Sequence, residues 1–310
     1  MYVFTDSDFE KSDFAYVFSY ISTTVAWYIM RYKRKRIARL LYYVKDVNII
    51  LYEKPINTLV AINCAMPMII TAAMIYIVGD PEILRYYVAS YDFNESWITI
   101  AFMCMEICVY YMVLPSANNI MSLFYTSLCW GCSVHINKLT KKIEQFSPEE
   151  FGLSEQIEIL KSKKKMDDVL HHIQNEFSEQ FFFTILAGVF TCSFVAGGLL
   201  TNDFGEHPVV TQLDYMYYLI NSISCIALTL WIVGRIPIEM KKFHHTFYER
   251  TQERLLRCYS SMTELQLKID FLNEPDFVMT GCDILPLRRS TILALIGTLF
   301  TYTVLFMSLS

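Results

Sequence analysis

Six apolar runs punctuate the chain, at 14–30, 58–78, 97–117, 181–201, 213–233 and 290–309. Each is long enough to cross a hydrocarbon core as a helix. The pattern predicts an all-α, polytopic membrane protein. The polar connections keep a helical period: Cys132, Ile136, Leu139, Ile143 and Phe146 alternate steps of four and three, and Met166, Leu170, Ile173 and Phe177 do the same. Several crossings are therefore expected to continue beyond the bilayer as long charged helices. The stretch 97–130 is too long for one simple crossing, while polar 115–119 leaves too little for a second. One helix that crosses, kinks and carries on is the economical account. Pro67 predicts a kink in the second run. Ser147, Pro148 and Glu150 supply an N-cap, a first-turn proline and a capping-box carboxylate ahead of the next helix.

Composition agrees with this pattern. Hydrophobic residues make up 54% of the chain and charged ones 18%, against roughly a quarter charged in soluble domains. Of the 26 Lys and Arg residues, 24 fall in the connections 31–57, 131–180 and 234–289; the other set holds only Lys11 and Arg85. Positive charge stays on the cytoplasmic side, so both termini are expected outside. Arg31, Lys33, Arg34, Lys35 and Arg36, directly after the first run, carry most of that weight. The sequon at Asn94 falls in a connection assigned outside, where glycosylation is possible. The outer segments and their edges are acidic, Asp214 included.

Chemistry is sparse. Cys129 and Cys132 form a CxxC with no second pair or well-spaced histidine, so no metal and no cofactor is expected. No Gly-rich phosphate loop, nucleophile elbow or zincin pattern is present, and an enzyme is not expected. Glu106 lies ten residues into the third run, where a carboxylate costs several kcal/mol unless neutralised, bonded or wet. With Tyr110 one turn on and Asn221 at similar depth it could line a small-molecule pocket; a protonated Glu106 bonded to a neighbouring helix is the structural alternative. In the last run Thr298, Thr301, Leu305 and Ser308 recur at steps of three and four. This stripe fits either a wet path shared by several copies or hydroxyls bonded within their own bundle.

At the C-terminus the residues resemble a known signature. Gly281, Pro286-Leu287 entering the last run, Ile296-Gly297 and Thr301-Tyr302 followed by five apolar or small residues are similar to the end of insect gustatory receptors, which reads Thr-Tyr, five hydrophobic residues, then Gln-Phe. Ile136-Asn137-Lys138-Leu139 is similar to the cytoplasmic end of that family's fourth helix. The sequence departs from the signature at Ser308 and Leu309, which stand where the family has Gln and Phe.

The resemblance implies a ligand-gated non-selective cation channel of the insect chemoreceptor superfamily, a homo- or heterotetramer in the plasma membrane with an extracellular C-terminus. Thr301, Tyr302, Leu305, Ser308 and Leu309 would be pore-helix residues, and the hydroxyl stripe then reads as pore lining. Partners would be a small-molecule tastant, permeating cations and membrane lipid, with no nucleic acid. Three parts are implied: an outer segment 1–13, a ligand-binding bundle with cytoplasmic helix extensions 14–272, and an anchor turn with the pore helix 273–310. The family has seven crossings; aligned from the C-terminus, the first has no counterpart among these six. An odorant receptor of the same superfamily is the near alternative. A G-protein-coupled type of receptor, without a pore, is the distant one.

Overall fold

The computed structural model describes residues 11–47, 49, 53–78, 96–201, 209–257 and 277–309. In chain order the helices are α1 (Lys11–Asp46), α2 (Glu53–Val78), α3 (Ser96–Tyr111), α4 (Ala117–Gln145), α5 (Leu153–Thr201), α6 (Val209–Val233), α7 (Arg235–Arg257) and α8 (Arg289–Leu309). A π turn, Met112–Ser116, joins α3 to α4. Strands β1 (Thr280–Gly281) and β2 (Leu285–Pro286) pair antiparallel just before α8, Thr280 opposite Pro286. The sequon at Asn94 lies outside the described residues, as do the side chains of α8 beyond Thr301.

Four described segments are long and apolar enough to cross a membrane: Lys54–Ala73, Cys104–Gln145, Leu153–Gly197 and Gln212–Arg257. The run 14–30 forms the first half of α1, and α8 is apolar from Arg289 to Thr301. The chain is a polytopic helical membrane protein. The apolar and charged halves of its long helices are continuous, as the uninterrupted period across 132–146 and 166–177 requires. Ile136, Ile143, Met166, Leu170, Ile173 and Phe177 are all buried to 2% exposure or less.

The main core lies in the charged half of the bundle. Ile37, Leu40 and Val44 of α1 pack with Tyr125, Leu128 and Cys132 of α4, Phe177 and Phe181 of α5, and Phe243 and Phe247 of α7. The apolar half holds a smaller cluster around Tyr111, Leu114, Val195 and Tyr218. Many large apolar side chains there stay exposed, as a lipid-facing surface demands: Phe102, Met105 and Val109 on α3, Leu228 on α6, Phe300 on α8.

Two local details refine the sequence reading. Ser147 and Glu150 do form a capping box: the Ser147 N–H and hydroxyl both donate to Glu150 Oε2 at 3.1 and 2.9 Å, and the Glu150 N–H donates back to Ser147 Oγ at 3.3 Å. They close a turn, and α5 begins three residues later at Leu153. Hydrogen bonding to the charged form holds the Glu150 carboxyl below its ordinary range. The hairpin is clipped to α5 by Gln174, whose amide donates to the Thr280 carbonyl at 2.9 Å and accepts from the Thr280 N–H at 3.0 Å. The Cys282 N–H donates to Ser178 Oγ at 2.8 Å.

Three of the four tryptophans sit under arginines at one boundary between the two halves: Arg31 over Trp27, Arg235 over Trp130 and Arg289 over Trp231, at 5.3, 4.9 and 4.1 Å. Aromatic rings with basic partners collect where hydrocarbon gives way to head groups.

Candidate functional site

The site is built where α1, α2, the π turn and α6 converge. Pro115 has no N–H to give the preceding turn, and the chain widens there: the Ala117 N–H reaches back five residues to the Met112 carbonyl. Such single turns recur at functional sites. The opening is filled by asparagines. Asn119 donates to Asn63 Oδ1 at 3.0 Å and to Asn221 Oδ1 at 2.8 Å, joining α4 to α2 and α6. Asn63 in turn donates to the Ser116 carbonyl at 3.0 Å, inside the π turn. Asn118 donates to Thr23 of α1 at 3.0 Å.

Beside this network lies a void with about 20 Å³ of room for a water-sized sphere, walled by Asn118, Asn119, Thr184, Thr191, Tyr218 and Asn221 among others. That is space for roughly one water. Two buried polar atoms of its wall, Asn118 Oδ1 and the Tyr218 hydroxyl, have no hydrogen-bond partner among the described residues. Gly188 lets α6 approach: a Cβ there would meet Ile226 Cδ1 at 2.7 Å.

Above the void the walls are tyrosine. The Tyr16 hydroxyl is 3.1 Å from that of Tyr20 and 3.2 Å from that of Tyr110, donating one hydrogen bond and accepting the other. Tyr110 stands edge-on to Tyr218, and Tyr111 stacks on Tyr218 with centroids 5.7 Å apart. The Tyr111 hydroxyl donates to Asp214 Oδ1. A wall of rings carrying hydroxyls over a floor of amides has the chemistry of a small-molecule site, and the rings, packed on one another, leave room for about one water.

The structure brings Tyr110 and Asn221 to this site, joined through Tyr218, which touches the first and lines the void with the second. Glu106 lies on the exposed face of α3 with Phe102, Met105 and Val109. Thr301 is exposed on α8, its hydroxyl bonded back to the Gly297 carbonyl at 2.8 Å; Tyr302, Leu305, Ser308 and Leu309 continue the helix backbone. Sequence reasoning missed Asp214, counted as an outer acid, and the partners Asn63, Asn119 and Tyr111. The signal for them was the density of Tyr at 215, 217 and 218, beside adjacent Tyr110 and Tyr111.

No protein-family description matches the chain, and no curated protein does. Among solved structures it is similar to the insect olfactory receptor OR5 from Machilis hrabei. The TM-score is 0.61 at 12% identity, over 98% of this chain and 83% of that one. Against the same receptor in complex with eugenol the TM-score is 0.63, again at 12% identity, over 99% and 84%. The chain has the insect olfactory receptor fold. That fold includes the helix extensions beyond the apolar segments, since the likeness spans nearly the whole chain.

Proposed function

We propose that this chain is a gustatory receptor of the insect chemoreceptor superfamily: one subunit of a tetrameric, ligand-gated non-selective cation channel in the plasma membrane. The observation that carries the proposal is the likeness to an olfactory receptor of that superfamily over 98% of the chain. Thr301-Tyr302 near the end of α8 supports the gustatory branch. In this reading four copies of α8 surround the ion path, with Thr301, Tyr302, Leu305, Ser308 and Leu309 along it. The charged helix halves lie in the cytoplasm, in keeping with the Lys and Arg count, and the C-terminus faces outside. The ligand is a small organic tastant held among Tyr16, Tyr110, Tyr218 and Asn221.

The odorant reading has its own support, since the similar structures are of an olfactory receptor and one holds eugenol. Ligand-evoked current in cells with G-protein signalling blocked tests the channel. A current that persists supports it, and one that vanishes favours a receptor without a pore. Volatile phenols set against sugars and bitter compounds in the same assay separate the two branches. Restoring Gln and Phe at 308 and 309 should change unitary conductance or resting opening; unchanged currents would remove these positions from the path.

A further inference from the structure

Below Trp27, the face of α1 turned away from the bundle is a ladder of cations and rings. Arg31, Arg34, Lys35, Arg36 and Arg39 are all exposed. Tyr28, Tyr32 and Tyr42 stand among them at 67, 79 and 78% exposure. At 100° per residue, Trp27, Arg31, Tyr42, Lys35, Tyr28, Arg39 and Tyr32 fall within a sector of about 140°. The opposite side, Ile37, Leu40 and Val44, is buried in the main core. The helix is therefore fixed by one side and free to bind with the other.

Several other cations of the charged half are paired within the chain. Lys33 on this same helix bonds Glu179 at 3.1 Å, Lys142 bonds Glu158 at 2.8 Å, Lys163 bonds Asp167 at 3.0 Å, Arg235 bonds Glu239 at 2.9 Å and Lys242 bonds Glu144 at 3.3 Å. None of the five ladder cations has a carboxylate within 4.0 Å among the described residues. Arg31, Lys35 and Arg39, in that one exposed sector and without an ion pair among the described residues, offer an anion three positive charges in a row. The spacing says which. Arg31 packs on Trp27 at the membrane boundary, and Arg39 stands about 12 Å further along the axis. A head group charged only at the glycerol level meets the first of these rungs. A ring bearing several phosphates, projecting into the cytosol, can meet them all.

We infer that the exposed face of α1 from Trp27 to Arg39 binds the head group of a polyphosphorylated inositol lipid of the inner leaflet. The inference rests on the cytoplasmic orientation given above. Clusters of four to eight basic residues just inside a crossing bind such lipids, each cation contributing a few-fold in affinity. Tyr28 and Tyr32 would bury against the acyl boundary while the guanidinium groups take the phosphates.

The test uses the full chain in nanodiscs of neutral lipid, titrated with a short-chain fluorescent phosphatidylinositol 4,5-bisphosphate. The variant Arg31→Gln/Lys35→Gln/Arg39→Gln should weaken binding on the order of a hundredfold. The charge-matched control, Lys161→Gln/Lys164→Gln/Lys165→Gln on exposed α5, should leave it within about twofold. Phosphatidylserine should compete poorly, and soluble inositol trisphosphate more weakly than the lipid. Equal loss in both variants, equal competition by phosphatidylserine, or full displacement by the soluble phosphate would each overturn the inference. A chain that binds the lipid but passes no current would leave it standing and sink the channel reading; a conducting chain with no lipid preference would do the reverse.

Discussion

Arg289, the first residue of α8, lays its guanidinium 4.1 Å over the ring of Trp231, in the last turn of α6. Its Nε also faces the Trp231 carbonyl at 3.5 Å, and a Cβ on nearby Gly234 would come within 2.8 Å of the Arg289 backbone nitrogen. Because α6 carries Tyr218 and Asn221 at the other end, one rigid helix spans the distance from candidate pocket to the base of the proposed pore helix.

The first prediction concerns that joint. Removing the ring or the cation should shift half-activation by about 2- to 30-fold, the range of a partly desolvated cation–π contact of ~0.5–2 kcal/mol. A double-mutant cycle of Trp231→Ala and Arg289→Ala should show the two changes to be non-additive. Strict additivity would mean the contact plays no part in opening.

Gly234→Ala tests the same joint by crowding it. The added methyl meets backbone on both sides, Arg289 N and Leu230 O, each at 2.8 Å. Expression should persist with altered resting current, because the displaced element is the start of α8. A variant indistinguishable from the parent in both respects would show that the close approach is slack.

Tyr111 and Asp214 form the second relationship with a measurable consequence. Asp214→Asn keeps an acceptor for the Tyr111 hydroxyl and should retain surface expression, with ligand potency moved about tenfold at most. Asp214→Leu removes the carboxylate acceptor of that buried hydroxyl, at a cost of about 1–3 kcal/mol, and should lower thermal stability of the solubilised protein. If both variants behave alike, the hydrogen bond is not what Asp214 contributes.

Asn119 serves two helices at once, so its loss should be larger than that of an ordinary polar contact in a membrane. Interhelical hydrogen bonds there average about 0.6 kcal/mol, and Asn119→Ala removes two. A melting point about one to two degrees lower than that of Asn221→Ala, which removes one, is the expected result. An equal drop would assign the stabilisation to the Asn119–Asn221 bond alone.

The capping box before α5 should respond to acid. The Glu150 carboxyl is held low by hydrogen bonds to its charged form. Its contribution is therefore present above its unfolded value and is lost as pH falls through the lower folded one. Amide protection across 147–152 should fall as the pH drops below the ordinary carboxylate range. Glu150→Gln should show no such step. A step of equal size in the variant would place its origin elsewhere.

The fold was legible because membrane helices announce themselves in long apolar runs and buried stripes keep their period through the charged halves. Met166, Leu170, Ile173 and Phe177 were readable as one face, and they are one face. The site was less legible. Depth and polarity along single helices brought forward Tyr110 and Asn221, but also Glu106, which is on the outer face of α3. Depth says how far into the bilayer a residue lies, and only packing says which way it turns. Asp214 escaped for the same reason: a carboxylate near a crossing's end looks solvated until Tyr111 is placed against it.

The five-residue turn at Met112–Ser116 has one more effect. Tyr111 and Asn119 are eight positions apart, which in an unbroken α-helix leaves them about 80° out of phase. Taking up one surplus residue cancels most of that angle and aims both at α6, where Tyr111 meets Asp214 and Asn119 meets Asn221. The widened turn works as a phase corrector between two stacked binding layers, and shortening it by one residue would swing everything on its far side away from its partners.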